Sequence, residues 1–598
     1  MKKILLLVSI LFIATQALWA GPIDENRARE IATAFFSVKA TRSATCEIEL
    51  EWAGRDITSP QASTFSAQTA NTDNALLYIY NRCDKPGFVI IAGEECDTPI
   101  IAYSDKNCFD HENMAPSTRA ILSAWSRQIE ATKCNDMVKK DAAELAAESH
   151  GNVITSYDSA LWNQMTPYNN ECPKYDGRRS VTGCVATAMA IVCYHNRWPE
   201  KGEGTTPSYS YLDYYDNYRT VSSNTLGRTY NYDNMLHSYD YGYTNAQGNA
   251  VAALMYDLGT SVKMMYHYEA SSAYSEDIAD AMSTYFGYSK EARLLYRDRY
   301  TQSQWNQMIK ENIDTYGPTI YTGVGYEGGH AFIVDGYTDK NYFHFNFGWS
   351  GYGNGYWKTP DIDFYKYQDA VFYLAPDKDG STEYVYTLSL MSGSCGGSSH
   401  NGISLNTSTV NSYFPFNATV GCICNESNTT FAGTMALVVC NKNGEIKEIV
   451  QEQGWSGFQA YQLTTTSFNN ATISKTLEGG DVLRVMYKFN DNDDWAWMKG
   501  STPDVVDEIV LRELKRGIAE SIALRYDAKY QGEDRCAIVI NSQISVNYEW
   551  QSKSGSVLKA GKCDKSSTQV IELDSNTKGE YVLKFSNDKE IYSINITL

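Results

Sequence analysis

The sequence predicts an α+β protein with a β-rich C-terminal half, and three observations carry that prediction. After Gly183 the apolar positions Val185, Ala188, Met189 and Val192 recur at helical spacing, so Cys184 opens a helix. Further on, the short apolar runs 318–323, 331–337 and 342–347 have the length and composition of strands. Beyond Asp377 helical periodicity nearly vanishes, and alternating apolar runs are divided by turns such as Asn441-Lys442-Asn443-Gly444.

Composition bounds the function. A chain of 598 residues, 43% apolar and 13% aromatic, can bury several cores, and its length favours about three or four domains. Forty-five tyrosines, 42 glycines and 20% charged residues fit a compact β-rich extracellular protein. The net charge of −20 argues against a phosphate backbone as partner, so no nucleic acid is expected. At the N-terminus Lys2 and Lys3 precede the apolar run 4–14, and small Ala20 stands before Gly21-Pro22; residues 1–20 read as a signal peptide. That run is short of the ~20 apolar residues a transmembrane helix needs, and no later stretch approaches them. The expected location is therefore secreted or at the cell surface. The 14 cysteines are scattered without a dense disulfide framework, and Cys422-Ile423-Cys424 has no assignment from sequence.

In chain order, 21–149 reads as a first α+β unit: a helix over 27–40, strands over 75–80 and 87–92 joined by the polar turn 81–86, and another strand over 99–104. The charged, small-residue stretch 137–151 reads as an exposed, cuttable linker. The region 150–377 follows, with the Cys184 helix, a second helix over 250–258, the tyrosine-dense stretch 209–243 as a packed surface insertion, and then the strands. At a helix N-terminus, unpaired N–H groups and the positive end of the dipole favour a thiolate at Cys184. A base must take up its proton, and His330, far downstream at the mouth of an apolar run, is placed to meet it in space. Together they suggest a thiol peptidase. Cys193 reads as core, and Cys193 with His195 lacks zinc-site spacing; neither metal nor cofactor is expected. Residues 392–399 read as a flexible linker, and 378–507 and 516–598 as two β-sandwich modules. The acidic stretch 491–494 lacks the glycine and distal glutamate of an EF-hand and reads as a solvated turn.

The chain resembles the streptopain family of secreted bacterial papain-fold cysteine peptidases at four places. Trp162-Asn163-Gln164-Met165-Thr166-Pro167-Tyr168-Asn169 looks like the oxyanion segment and Thr182-Gly183-Cys184-Val185-Ala186-Thr187-Ala188 the nucleophile helix. Gly328-Gly329-His330-Ala331-Phe332 looks like the histidine strand and His344-Phe345-Asn346-Phe347-Gly348-Trp349 the aromatic turn. The resemblance implies a papain-like, two-lobed catalytic domain over 150–377, with the site in the cleft between lobes. It also implies an α+β prodomain over 21–149 that occupies the cleft as intramolecular inhibitor until cut away. Carried over position by position, Cys184 is the nucleophile and His330 the general base and then acid. Gln164 donates to the tetrahedral oxyanion beside the Cys184 backbone N–H. The stretch 266–275 is similar to the family's substrate-pocket loop, which makes Ser272 and Gly329 candidate substrate contacts. The family turn usually reads Asn-Trp-Gly-Trp; here Phe347 takes the first tryptophan position and Trp349 keeps the second, both as candidate substrate contacts. A phenyl ring covers a histidine but cannot donate a hydrogen bond. Asn346 either holds the imidazole through its amide or shapes the turn that contacts substrate. The module 516–598 is similar to small immunoglobulin-like C-terminal modules of secreted bacterial proteins and to sorting domains, which would serve cell-surface attachment.

The expected function is a secreted endopeptidase made as a zymogen and acting on proteins or peptides. Two alternatives stay open: a catalytically weak surface binding protein using its β-modules, which the Phe347 departure keeps alive, and an amidase acting on wall peptides through the same dyad.

Overall fold

The computed structural model describes residues 22–38, 47–55, 57, 75–94, 99–131, 140–149, 151–213, 215–325, 328–359, 368–489, 493–511, 518–527, 536–573, 578–588 and 591–598. The expected signal peptide and part of the acidic stretch 491–494 lie outside them. The chain divides into two units, Met1–Val385 and Tyr386–Leu598. Past residue 377 it stays tied to the first unit: Thr382 Oγ1 donates to Asp377 Oδ2 over 2.5 Å and accepts from Lys290 N over 3.0 Å.

The first unit is mixed helix and sheet. Its main sheet has eleven strands: β1 (Ile48–Gly54), β2 (Leu77–Arg82), β3 (Phe88–Ala92), β4 (Ile100–Ser104), β5 (Val153–Ser156), β6 (Arg293–Tyr296), β7 (Thr319–Gly325), β8 (Gly328–Thr338), β9 (Phe343–Asn346), β10 (Gly355–Trp357) and β11 (Asp369–Phe372). The order is β1-β2-β3-β4-β10-β9-β8-β7-β11-β6, with β5 added to β8. The sheet therefore runs without a break from the N-terminal region into the region of Cys184 and His330. The join is β4 against β10, Tyr103 opposite Tyr356 and Ala102 opposite Trp357.

Why these residues make this sheet is legible in β2 and β3. β3 and the first four residues of β2 are apolar or aromatic throughout instead of alternating, which a strand buried on both faces requires. Leu77, Ile79, Phe88 and Ile90 enter one core, Tyr78, Tyr80, Val89 and Ile91 another. Helices α1 (Glu25–Ser37) and α3 (Ala142–Ser149) cover the second face, with Phe35 and Leu145 in its core. Helix α2 (Pro116–Ala131) covers the first and packs on β7 and β8. The core it shares takes Ile121 and Leu122 from α2 together with Trp305, Phe332, Val334, Phe347 and Trp357. Hydrophobic burial, worth about 25 cal/mol per Å² of apolar surface, thus crosses from the N-terminal region into the Cys184/His330 region without interruption.

The first unit's other α-helices among the described residues are α4 (Cys184–Asn196), α5 (Asn245–Ser261), α6 (Glu276–Phe286) and α7 (Gln302–Tyr316). Sequence signals start two of them: Thr244 with Gln247 and Thr301 with Gln304 each form a reciprocal capping box. The reading of 137–151 as a linker is corrected over its described second half, because 142–149 is α3, with Leu145 and Ala146 buried. Residues 137–139 of that stretch lie outside the described residues.

The second unit is strand-rich. A four-stranded and a five-stranded antiparallel sheet share one core through residues such as Phe416, Val420, Phe431, Leu437 and Leu483. Further on, a three-stranded and a four-stranded sheet meet around Ile538, Ile540, Trp550, Ile571 and Phe585. Residues 392–399, expected as a flexible linker, instead form most of a hairpin, Ser392–Cys395 against Ser398–Asn401. Gly396 and Gly397 at its tip have φ of 61° and 82°, the left-handed values a two-residue turn demands.

Candidate active site

The four stretches singled out in the sequence converge. Cys184 is the first residue of α4, and Gly183 before it has φ of 86°. A Cβ at Gly183 would lie 2.5 Å from Met264 Sδ and 3.2 Å from the Ser271 carbonyl, so only glycine lets the chain turn here. Thr187 Oγ1 donates back to the Gly183 carbonyl over 3.0 Å and fixes the first turn. The Gln164 carbonyl accepts from Thr182 N over 3.1 Å, and the Trp162 carbonyl accepts from Ser350 N over 3.0 Å. These bonds set residues 162–164 between the start of α4 and the 348–350 turn. Gly348, with φ of 65°, rests against Thr187 of α4, where a Cβ would lie 3.2 Å from its methyl group.

His330 lies inside β8, two residues past its start, with Gly323 of β7 opposite. Strand alternation sends it to the same face as Phe332 and Val334, the face on which α2 packs. Its Nε2 is buried and has no hydrogen-bond partner among the described residues. Burial pushes its pKa down to about 4, so the imidazole is neutral. Burial also pushes the Cys184 thiol up, and the backbone N–H groups of Ala331, Val185 and Cys184 itself oppose this without prevailing. The helix N-terminus therefore does not by itself make Cys184 a thiolate. Cys184 thus stands by Ala331, next to His330 in the chain, and both groups are held uncharged.

The other predicted residues are placed as follows. Gln164 is half-buried, and its backbone N–H donates to Asn163 Oδ1 over 2.5 Å. Asn346 is buried; its amide donates to Ser159 Oγ (2.8 Å) and the Ala160 carbonyl (2.9 Å), and its Oδ1 accepts from Gly348 N (3.1 Å). These contacts tie Asn346 to the turn. Phe347 is 2% exposed and packs on Phe332 and Phe345, with ring centroids 5.4 and 5.9 Å away, and on Trp357. Trp349 is half-buried, while Ser272 and Gly329 are exposed. Ser272 exchanges backbone hydrogen bonds of 2.8 and 3.2 Å with Met265, and the Ser271 hydroxyl donates to the Val181 carbonyl over 2.7 Å. The 266–275 loop is thereby fastened to the chain that leads into Cys184.

Sequence reasoning missed two supporting groups. Asn163 Oδ1 accepts from Gln164 N and Met165 N, and its amide donates to Ser350 Oγ over 3.0 Å. Its signal was the Asx-type turn that asparagine forms ahead of Thr-Pro. Asp335, 1% exposed in the apolar β8, pairs with His344 Nδ1 at 2.5 Å and accepts from Ser159 Oγ, which in turn accepts from Asn346. A carboxylate inside an apolar run demands such partners, and that was the available clue.

Comparison with known proteins finds two family matches and several relatives. The Peptidase C10 family profile matches residues 162–357, and the Spi protease inhibitor profile matches 20–129. The chain is 29% identical over 373 residues to the thiol protease/hemagglutinin PrtT of Porphyromonas gingivalis, covering 59% of this chain and 41% of that protein. Less than half of that relative's length is thus matched. It is 29% identical over 299 residues to streptopain of Streptococcus pyogenes, covering 48% of this chain and 74% of streptopain. Among solved structures, active interpain A cysteine protease of Prevotella intermedia is 33% identical, with 39% of this chain and 95% of that chain covered and a TM-score of 0.33.

Proposed function

The chain belongs to the Peptidase C10 family, and on that premise we propose that it is a secreted cysteine endopeptidase made as a zymogen. The observation that carries this reading is the convergence of Gln164, Cys184, Ala331 and the 348–350 turn through the contacts described above. Cys184 Sγ attacks the carbonyl carbon of the scissile bond as His330 takes the thiol proton. The Gln164 side chain and the Cys184 N–H receive the oxyanion. Collapse breaks the C–N bond, His330 protonates the leaving amine, and water then releases the acyl group from Cys184 as a carboxylic acid. Substrate lies along Ser272, Gly329 and the aromatic turn of a papain-like two-lobed domain, over about 150–377.

The N-terminal region, 21–149, is the propeptide and inhibitor. Supporting this, its β4 extends the catalytic sheet at β10, its α2 packs on the strand bearing His330, and the inhibitor profile covers 20–129. Asn107 Nδ2 donates to the Asn354 carbonyl (3.0 Å) and Tyr342 OH donates to the Ile100 carbonyl (2.7 Å) across the same boundary. Removing this cover rehydrates the site, so the Cys184 pKa falls and that of His330 rises toward the thiolate–imidazolium pair. The C-terminal β-modules, about 378–507 and 516–598, serve surface attachment.

The purified chain, incubated with reductant, is expected to cleave casein at internal bonds. Cleavage of wall peptides with casein untouched would overturn the endopeptidase reading in favour of an amidase. A second measurement addresses latency. At pH 7, iodoacetamide should modify Cys184 in the intact chain at least ~10-fold more slowly than after the N-terminal region is lost, because only the thiolate reacts. Equal rates by peptide mapping would show that burial does not hold the site inactive.

A further inference from the structure

Asp369, the first residue of β11, carries a buried carboxyl group that the reaction above does not use; it is 4% exposed. Thr322 Oγ1 of β7 donates to its Oδ1, and Ser275 Oγ donates to its Oδ2 over 3.2 Å. Thr322 stands opposite Ala331, the residue after His330. Ser275 closes the 266–275 loop, stands just before α6 with its hydroxyl free of a capping bond, and follows Ser272 by three positions. One carboxyl group therefore joins the loop with the candidate substrate contact to the strand beside the candidate base.

We propose that Asp369 is a positioning residue: neutral, it clamps the 266–275 loop to β7 beside the His330 strand, its own O–H turned to one of the two hydroxyls and its carbonyl oxygen accepting from the other, and when ionised it is a buried charge whose hydration loosens the loop and weakens substrate binding. The proposal rests on the peptidase reading above.

The electrostatics support this direction. Burial pushes the Asp369 pKa up to about 7, and the nearby carboxylates Glu276 and Asp298 add to the rise; the two hydroxyls only partly offset it. The charged and titratable groups around it come from four elements, beginning with the half-buried phenol Tyr296 of β6, directly opposite Asp369 in the sheet. On α6, Glu276 accepts from Tyr296 OH of β6 over 3.1 Å. On the 297–299 turn, Asp298 lies between Arg297, which donates to the Tyr300 carbonyl and Gln302, and Arg299, which sits 4.3 Å over the Tyr296 ring. From β7 come uncharged Thr322 and the buried phenol Tyr321.

A carboxyl whose ordinary value is 3.8 but whose folded value is about 7 binds a proton in the folded state that the unfolded chain has lost. Its stabilising contribution is thus present at low pH and declines as pH rises from about 4 to about 7. Above that range a buried carboxylate faces two others, and lifting the loop to admit water relieves it.

The test is the pH dependence of KM and kcat for the activated enzyme and its Asp369→Asn variant on one peptide substrate, between about pH 5.5 and 8.5. Wild-type KM should rise ~3- to 10-fold through pH 7 while Asp369→Asn, a neutral isostere, keeps the low-pH KM throughout. The kcat profile of the variant should keep the wild-type inflections. A parallel KM rise in Asp369→Asn, or a flat wild-type profile, overturns the proposal. Hydrogen exchange over 266–275 in the unprocessed Cys184→Ala chain, with and without Asp369→Asn, decides the clamp independently of turnover. Protection lost at high pH only with aspartate present supports it, and indifference to the substitution overturns it. A wild-type enzyme that hydrolyses no peptide would instead sink the peptidase reading and leave the exchange result to judge the clamp.

Discussion

Purified Cys184→Ala protein is expected to keep its full chain length in reductant, whereas the wild type sheds ~13 to 15 kDa from its N-terminus, the mass of the region up to the proposed boundary. Peptide hydrolysis should fall by ~10⁴-fold or more, since removing a nucleophile leaves only binding and oxyanion stabilisation. The loss will report chemistry and not unfolding. Alanine is the best helix former, and its smaller side chain fits the first position of α4. Circular dichroism and thermal unfolding of the variant should match the wild type. Substantial turnover by Cys184→Ala protein would refute the nucleophile assignment.

Gly183→Ala should be nearly as damaging although it removes nothing. At φ of 86° an L side chain is strained by roughly 1–3 kcal/mol, and the new methyl group meets Met264 Sδ and the Ser271 carbonyl. Met264 can swing aside, but the backbone carbonyl cannot move without dragging the 266–275 loop. Either adjustment shifts Cys184 relative to Gln164 and Ala331, and a shift near 1 Å costs ~10²-fold in rate. The expected signature is a large fall in kcat with a modest fall in melting temperature. A variant with wild-type kcat would mean that the turn into α4 is not a fixed part of the catalytic geometry.

Much of this was legible in the chain, and the failures share a cause. The apolar runs 75–80 and 87–92 and the helical spacing after Cys184 are local signals and were read, whereas the capping boxes at Thr244 and Thr301, equally local, were passed over, and with the second of them the helix α7. Helix α3 was missed because the residues that dock it are few and mostly small, Leu145 with Ala142, Ala146 and Ser149, and they dock against a partner far away in sequence. The hairpin at 392–401 was missed because Gly-Gly with serines composes a linker and a tight turn equally well. For the site, the residue types and order were readable, but their charge state was not. A helix N-terminus argues for a thiolate at Cys184, yet burial outweighs it, and burial depends on segments distant in sequence. His330 shows the same dependence, because what covers its strand includes α2.

The sheet that runs from β1 to β6 through the β4–β10 join has a consequence for the timing of activation. A single scission near residue 150 would divide this precursor into two fragments that still share one sheet and one core, as halves of a split protein do. Hydrolysis of the connecting bond and departure of the inhibitor are then separate events with separate rates. The second requires β4 to be parted from β10, in mid-sheet, and α2 to be peeled from a packed face, and it can be slow even when the first is fast. A nicked, still-silent complex is the natural intermediate of such a design. Further cuts within the N-terminal fragment, by removing its ability to rebind, would make activation irreversible.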